Sequence, residues 1–195
     1  MCGMTEGEHA HKRFSDKLAF FLNNPIRRKF SPPERLIEKL GIQPNTAVLD
    51  FGCGPGFFLV PAARAAGKAI GVDVSPRMLE RAAKYAKKSN VPVELIESDG
   101  KSIKLPDNSV DLIFLVHVFH EIDDKLLVLK EFLRILKPSG RLAIIERSKD
   151  SWMSQRKLGP PVVDVSKVAA QIVQGGFTSN ENLQFDTDSI ILGRK

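Results

Sequence analysis

The residues Val48-Leu49-Asp50-Phe51-Gly52-Cys53-Gly54-Pro55-Gly56 place a short apolar run directly before an acidic residue and a glycine-rich turn. Glycine accepts backbone conformations that other residues avoid, and it lets a ligand approach the main chain closely. The three glycines do not have the Gly-x-Gly-x-x-Gly spacing of a dinucleotide site, and Asp50 would repel a pyrophosphate. The stretch therefore predicts a site for a ligand that carries an ammonium group and a net positive charge.

Around this stretch, short apolar runs alternate with helical patterns. Helices are predicted to begin at Pro32-Pro33, with Gly41 as the C-cap, at Ser75-Pro76 and at Asp123-Asp124. An alternation of strands and helices favours a parallel sheet that is covered by helices on both faces. The predicted strands are Ala47–Leu49, Ala69–Val72, Val93–Ile96, Val110–Val116 and Leu142–Ile145.

The C-terminal segment departs from this alternation. A helix predicted over Ser166–Gln174 is followed by strands over Phe177–Phe185 and Ser189–Leu192, with a tight turn at Asp186–Asp188 between them. A parallel crossover needs about a dozen residues, so these two strands are expected to be antiparallel. The sequence predicts an α/β fold whose parallel sheet ends in an antiparallel hairpin.

Acidic residues follow three successive predicted strands. Asp73 ends the second strand, and its carboxylate is suited to accept hydrogen bonds from both ribose hydroxyls of a nucleoside. Asp99 follows the third strand within Ser98-Asp99-Gly100, where it is placed to contact an adenine amino group. Together with Asp50, these carboxylates outline a nucleoside site at one edge of the sheet.

This combination of motifs resembles the class I S-adenosylmethionine-dependent methyltransferases over residues 32–195, and within them the small quinone-biosynthesis and type 11 enzymes. The matching segments are VLDFGCGPG, GVDVSPRMLERA, SDGKSIKLPDNSVDLIFLVHVFHEI and LKEFLRILKPSGRLAIIE. The resemblance implies a Rossmann-like, mostly parallel, seven-stranded sheet in the order 3-2-1-4-5-7-6, which agrees with the hairpin predicted above. It also implies S-adenosylmethionine as the cofactor.

The resemblance implies roles for individual residues as well. Asp50, Gly52 and Gly54 would hold the methionine moiety, and Asp73 would bind the ribose. The adenine would lie against Val74 and Met78, with its edge at Asp99 and Gly100, and the sulfonium would lie near Val116. The other loop residues of this predicted cofactor site are Cys53 and Gly56. The alternative interpretation is that Asp50 only caps the next helix, and that Val74 and Met78 belong to the core.

Methyl transfer from a sulfonium is an in-line displacement with a good leaving group, so the protein contributes mainly alignment, proximity and exclusion of water. A general base is needed only if the nucleophile arrives protonated. His117, His120 and Glu121 follow the fourth strand, and His120 is the candidate base because an imidazole titrates near neutral pH. In the alternative, His117 is a packed strand-end residue, His120 lines the pocket, and Glu121 caps the helix that follows.

Length and composition bound the classes of protein that fit. The chain has 195 residues, and 29 Lys and Arg residues against 23 Asp and Glu residues give a formal net charge of +6. Because 43% of the residues are hydrophobic, a disordered polycation is excluded. Cys2 and Cys53 are too few for a disulfide framework and suit a reducing compartment. The polar N-terminus lacks a signal-peptide pattern, so we expect a cytoplasmic protein without a membrane span.

Two segments are candidates for closing over a substrate. Residues 1–31 form a predicted N-terminal arm or lid ahead of a methyltransferase domain over residues 32–195, and the loop Ser148–Pro161 is the second candidate. Leu115-Val116-His117-Val118 differs from the Asn-Pro-Pro-Tyr type of the related enzymes that methylate amino groups in DNA, RNA and protein glutamine. The prediction is therefore a methyltransferase for a small-molecule acceptor, with no metal and no nucleic acid. An RNA- or protein-directed methyltransferase and an inactive cofactor-binding module are the alternatives.

Overall fold

The computed structural model of the protein describes residues 32–147 and 161–195. Within these ranges the chain forms five α-helices and seven β-strands. The helices are α1 (Pro33–Lys39), α2 (Leu59–Ala65), α3 (Pro76–Lys88), α4 (Lys125–Ile135) and α5 (Val165–Gln174). The strands are β1 (Ala47–Phe51), β2 (Lys68–Asp73), β3 (Glu94–Glu97), β4 (Val110–Val116), β5 (Leu136–Arg147), β6 (Thr178–Phe185) and β7 (Asp188–Arg194).

The strands form one sheet in the order β3-β2-β1-β4-β5-β7-β6. The strands β1 to β5 pair in parallel with their neighbours, whereas β7 is antiparallel to both β5 and β6. Both the predicted α/β class and the predicted C-terminal hairpin are confirmed. Because β1 lies between β2 and β4, the loops that follow these three strands meet at the same edge of the sheet.

The helices cover both faces of the sheet, as the alternating side chains of β4 show. Ile113 and Leu115 pack into a core with apolar residues of α4 and α5. Leu112 and Phe114 point to the other face, where the core is completed by residues of α1, α2 and α3. Successive side chains of a strand lie on opposite faces, so a continuous apolar run such as this one is buried on both sides.

Helix termini agree with the predicted signals, with one difference in mechanism. The side chain of Asp124 caps α4 by accepting the N–H of Leu127 at 3.0 Å, and Gly41 follows α1 with a φ of +63°. Helix α3 begins at Pro76 as predicted, but the Ser75 hydroxyl makes no capping hydrogen bond. The N–H of Ser75 instead donates to Asp73 at 2.9 Å, which ties the start of α3 to the end of β2.

The strand β5 is longer than the predicted run Leu142–Ile145. It begins at Leu136, immediately after α4 ends, and the pairing with β4 shifts between Val110–Leu136 and Leu112–Arg141. The Pro138-Ser139-Gly140 stretch lies within this shift, because proline cannot donate a ladder hydrogen bond. At its other end β5 continues to Arg147, so Glu146 is a strand residue.

The predicted N-terminal arm, residues 1–31, lies outside the described residues, and so does the predicted loop over Ser148–Pro161 except for its last residue. The predicted domain boundary at residue 32 therefore stays a prediction. None of the helices in residues 32–147 and 161–195 combines the length and apolar character that a membrane span requires.

Candidate functional site

The site lies where β1, β2 and β4 end, and it is built around two carboxylates. Asp50 belongs to β1 and pairs in register with Gly71, two residues before Asp73 at the end of β2. The electrostatic influence of Asp73 on the pKa of Asp50 shows that these groups are close together. The two residues that the sequence placed at strand ends are thus brought to one location.

Asp50 is buried without full compensation. Its residue is 2% exposed, and its carboxylate accepts the N–H of Leu59 at the start of α2. Its Oδ2 atom has no hydrogen-bond partner among the described residues. Burial, and then the nearby Asp73, raise the pKa of Asp50 well above its ordinary value. A buried carboxylate oxygen without a partner is costly, and an ammonium group would relieve both causes.

Asp73 is held by the backbone on both of its oxygen atoms. The N–H of Gly54 donates to Oδ2 at 2.8 Å, and the N–H of Ser75 donates to Oδ1 at 2.9 Å. Burial raises the pKa of Asp73, and the N–H groups of Ser75, Gly54 and Val74 oppose that rise. Because each carboxylate oxygen has two lone pairs, Asp73 retains capacity to accept hydroxyl donors while its orientation stays fixed.

The three loop glycines have positive φ angles but different surroundings. At Gly52 an added Cβ would lie 2.5 Å from the Cγ2 atom of Val118, and at Gly56 it would lie 3.3 Å from the Cα atom of Ala82. At Gly54, with a φ of +51°, an added Cβ would meet no atom within 4 Å. Gly52 and Gly56 therefore serve packing, whereas Gly54 borders open space.

Cys53 is part of the loop but faces the protein interior. Its residue is 5% exposed, and its N–H donates to the carbonyl of Val72 at 3.0 Å. Burial, and then the charges of Asp50 and Asp73, raise the pKa of the Cys53 thiol well above its ordinary value. The thiol is therefore protonated and is not activated as a nucleophile.

The residues predicted to contact adenine are distributed unevenly. Val74 is 63% exposed, which is unusual for a large apolar side chain beside a buried carboxylate. Met78 is buried at 7% exposure, as its alternative core interpretation requires. Asp99 is exposed, and its carboxylate lies 3.2 Å from the Nζ atom of Lys101. An added Cβ at Gly100 would lie 2.5 Å from Phe51, so this glycine makes room for the core.

The segment after β4 reaches the same edge of the sheet. Val116 is half-buried at the end of β4, and Val118 packs against Gly52 of the glycine loop. Glu121 lies in a short 3-10 helix, Phe119–Glu121, and does not cap the next helix, since Asp124 does so. Burial raises the pKa of Glu121, and the charge of Asp73 contributes to this rise. This segment and the carboxylate site are therefore neighbours.

A buried glutamate connects the two histidines and was not singled out in the sequence. The side chain of Glu146, at the end of β5, is 0% exposed and lies 3.0 Å from the Nδ1 atom of His120 and 3.9 Å from that of His117. The Nε2 atom of His117 lies 3.2 Å from Asp188 at the start of β7. The signal that could have found Glu146 is its position after an apolar strand, which it shares with Asp73.

The site fits a cationic nucleoside ligand better than a metal ion. The unpaired oxygen of Asp50, the open space at Gly54 and the exposed Val74 suit an ammonium group, a close approach to the backbone and a flat apolar surface, respectively. In the part of the chain that the structure describes, no three His, Cys, Asp or Glu side chains are grouped so that they could hold a metal ion.

Comparisons with known proteins agree with this geometry. A family model described as a methyltransferase domain, of type 11, matches residues 49–144. A crystal structure of an S-adenosylmethionine-dependent methyltransferase from Aquifex aeolicus superposes with a TM-score of 0.82 and 28% identity. It covers 93% of this chain and 98% of that one.

Curated relatives give the same result over part of their length. A demethylmenaquinone methyltransferase from Geobacillus sp. (strain WCH70) is 28% identical over 137 residues, which are 68% of this chain and 58% of the relative. An uncharacterized 37.1 kDa protein in transposon TN4556 of Streptomyces fradiae is 35% identical over 163 residues, which are 79% of this chain and 46% of the relative. The chain thus spans about half the length of the curated relatives it matches.

Proposed function

The chain belongs to the type 11 group of the class I S-adenosylmethionine-dependent methyltransferases, and from this premise we propose that it transfers the methyl group of S-adenosylmethionine to a small-molecule acceptor. The observation that carries the proposal is the buried Asp50 oxygen without a partner, close to Asp73 and beside the open space at Gly54. Such an arrangement is costly in the protein alone, and a positively charged ligand offsets that cost.

The residues that would hold the cofactor divide by chemistry. Asp50 would receive the ammonium group of the methionine moiety, and Gly54 would let this moiety approach the backbone. Asp73, fixed by two backbone N–H groups, would accept the ribose hydroxyls, and Val74 would cover one face of the adenine. Asp99 and Gly100 at the adenine edge and Val116 near the sulfonium complete the proposed set. Gly52, Cys53, Gly56 and Met78 shape the loop and the wall behind it.

The cofactor supplies, when bound, a methyl group on a sulfonium centre whose leaving group is neutral. The chain's own contribution is to align an acceptor and to exclude water from it. His120 is 19% exposed at the end of the segment that packs on the glycine loop, and we place it as the group that accepts a proton from the acceptor.

Two features support a small molecule as the acceptor. The Geobacillus relative is named as a demethylmenaquinone methyltransferase, which is consistent with a quinol-type acceptor here. The sequence Leu115-Val116-His117-Val118 offers no Asn-Pro-Pro-Tyr motif for an exocyclic amine. The net charge of +6 is not concentrated at the site, which is acidic.

Three further parts of the proposal concern the whole chain. We propose that residues 32–195 are the methyltransferase domain and that residues 1–31 form its arm. We also propose a cytoplasmic location, which is supported by only two cysteines in the sequence and by the protonated thiol of Cys53.

The test is a turnover assay with the full chain. The protein is incubated with methyl-labelled S-adenosylmethionine and, separately, with menadiol, catechol, total RNA and a protein extract, and both labelled product and S-adenosylhomocysteine are measured. We expect turnover with a small-molecule acceptor and its loss in Asp73→Ala. Label in RNA or protein would contradict the small-molecule proposal. Cofactor binding without turnover on any acceptor would instead favour the inactive module.

A further inference from the structure

We propose that Glu146 is a positioning residue that holds His120 with the Nε2 lone pair directed to the methyl acceptor, so that the pair works as a general base. This inference rests on the proposed function, because it gives the acceptor's proton a destination. It adds a residue at the end of β5 to a site otherwise built from β1, β2 and β4.

The contacts between Glu146 and His120 fix both partners. The Nδ1 atom of His120 lies 3.1 Å from Oε1 and 3.0 Å from Oε2 of Glu146. The backbone N–H of His120 also donates to Oε1, at 3.2 Å. Because the Glu146 side chain is 0% exposed, water does not compete for these contacts. The imidazole ring is therefore held at its backbone and at one ring nitrogen by a single carboxylate.

The carboxylate also selects the tautomer of His120. Oxygen lone pairs face Nδ1 from both oxygen atoms of Glu146, so an unprotonated Nδ1 would place like partial charges against each other. The proton of the neutral ring belongs on Nδ1, and Nε2 keeps its lone pair. The nearest acidic group to Nε2 is Glu121, at 3.8 Å, which is too long for a hydrogen bond. Nε2 is thus available to a substrate.

The location of His120 suits a base for this reaction. Val118, two residues before it, packs against Gly52 of the cofactor loop, and Glu121, one residue after it, is influenced electrostatically by Asp73. His117 does not compete for the role, because its Nε2 atom already lies 3.2 Å from Asp188. The hydrogen bond from Glu146 raises the pKa of His120; burial opposes the rise, the charges of Glu146 and Glu121 add to it, and Lys125 opposes it.

The proton-transfer step balances within these groups. The bond between the acceptor atom and its hydrogen breaks, and its electron pair stays on the acceptor atom as the nucleophile. The Nε2 lone pair of His120 forms the new N–H bond, and the ring becomes an imidazolium. Glu146 stabilises that positive charge through Nδ1–H, and Glu121 adds attraction from the Nε2 side. The imidazolium then releases its proton to water after methyl transfer.

The first experiment reads the tautomer directly, without turnover. The full chain is labelled with ¹⁵N at histidine, and long-range ¹H–¹⁵N spectra are recorded across a pH series, with His120→Gln to assign the signals. We expect the neutral His120 ring to carry its proton on Nδ1. We also expect Glu146→Gln to lower the pKa of His120 and to move the proton toward Nε2, since an amide N–H would then face Nδ1.

A matched control separates this pair from the neighbouring histidine. Asp188→Asn removes the acidic partner of His117 and should leave the tautomer and the pKa of His120 unchanged. The proposal is overturned if wild-type His120 carries its proton on Nε2, a result that needs no variant to fold. It is equally overturned if Glu146→Gln and Asp188→Asn change the His120 signals alike.

The second experiment follows the rate of methyl transfer to menadiol against pH. The rate should fall at acidic pH as His120 becomes protonated, and in Glu146→Gln this limb should move to lower pH while the maximal rate falls by about 10²-fold. Asp188→Asn should keep the wild-type limb. Calorimetric titration with S-adenosylhomocysteine accompanies each variant. An unshifted limb in a variant that binds S-adenosylhomocysteine overturns the role of Glu146, whereas absent binding in the wild type overturns the proposed function instead.

Discussion

Asp50 is the residue at which the fold gives up stability for binding. A carboxylate at 2% exposure with one partnerless oxygen is in a poor environment, and its raised pKa reports this through burial and the nearby Asp73. A raised pKa in the folded state means that folding favours the protonated form. The associated stability is fully present below the ordinary value of 3.8 and is lost as the pH rises through the folded-state pKa.

Replacing this charge should therefore stabilise the ligand-free protein. We expect Asp50→Asn to raise the free energy of unfolding at neutral pH by about 1 kcal/mol, with the difference from the wild type shrinking in acid. The same variant should lose about 10-fold or more in affinity for S-adenosylhomocysteine, because the ammonium group loses a charged acceptor. Urea denaturation at two pH values and calorimetry measure the two effects.

Asp111 provides a control of opposite sign. Burial works to raise the pKa of Asp111, but the N–H of Ala47 and the ammonium of Lys137 outweigh it, so that the pKa is lowered. Asp111→Asn should therefore reduce the free energy of unfolding at neutral pH. If Asp50→Asn proves as destabilising as Asp111→Asn, Asp50 is a structural cap of α2, and its binding role is wrong.

At the scale of elements, the loop between β1 and α2 separates packing from binding. Gly52→Ala would bring a Cβ to 2.5 Å from Val118 and should lower the unfolding midpoint clearly. Gly54→Ala meets no protein atom within 4 Å, so it should cost only the strain of a positive φ, about 1–2 kcal/mol. Its Cβ would enter the proposed ligand space and should weaken S-adenosylhomocysteine binding more than the loss of stability explains.

Thermal unfolding and calorimetry on both variants test this division. The expected pattern is a larger loss of stability in Gly52→Ala and a larger loss of affinity in Gly54→Ala, measured at a temperature where both remain folded. Equal affinities in Gly54→Ala and the wild type would show that the open space at Gly54 is not where the ligand lies.

The elements were predictable from the sequence where local signals agree with tertiary structure. Residues 110–116 form the predicted strand because an uninterrupted apolar run is compatible with burial on both faces. The start of β5 at Leu136 was not predictable, since Pro138 and Gly140 conceal a strand that resumes beyond them. The role of Ser75 also differed, because the nearby carboxylate of Asp73 took over the N–H that a capping hydroxyl leaves free.

At the scale of the whole molecule, the sheet order explains which site residues a sequence reveals. Asp50 and Asp73 were recognisable because each directly follows an apolar run, and the order β2-β1-β4 brings those ends together. The buried position of Met78 and the Asp99–Lys101 ion pair depend on how α3 and the β3–β4 loop pack. Glu146 depends on the contact between β5 and the segment after β4, which no local pattern encodes.

The distribution of charge separates the surface from the site. The chain carries a net charge of +6, whereas Asp50, Asp73, Glu121 and Glu146 lie at or beside the proposed pocket. An acidic pocket in a basic molecule suits a cationic ligand and does not suit a phosphate backbone.

Calorimetric titration of S-adenosylmethionine into the full chain tests the central claim most directly, with Asp73→Ala and the exposed-site control Glu38→Ala measured alongside. The account predicts saturable binding in the micromolar range for the wild type and for Glu38→Ala. It predicts a loss of about 10-fold or more in Asp73→Ala, since a charge-assisted hydrogen-bond acceptor contributes about 1.5–3 kcal/mol. Absent binding in the wild type, or equal affinity in Asp73→Ala, would contradict it.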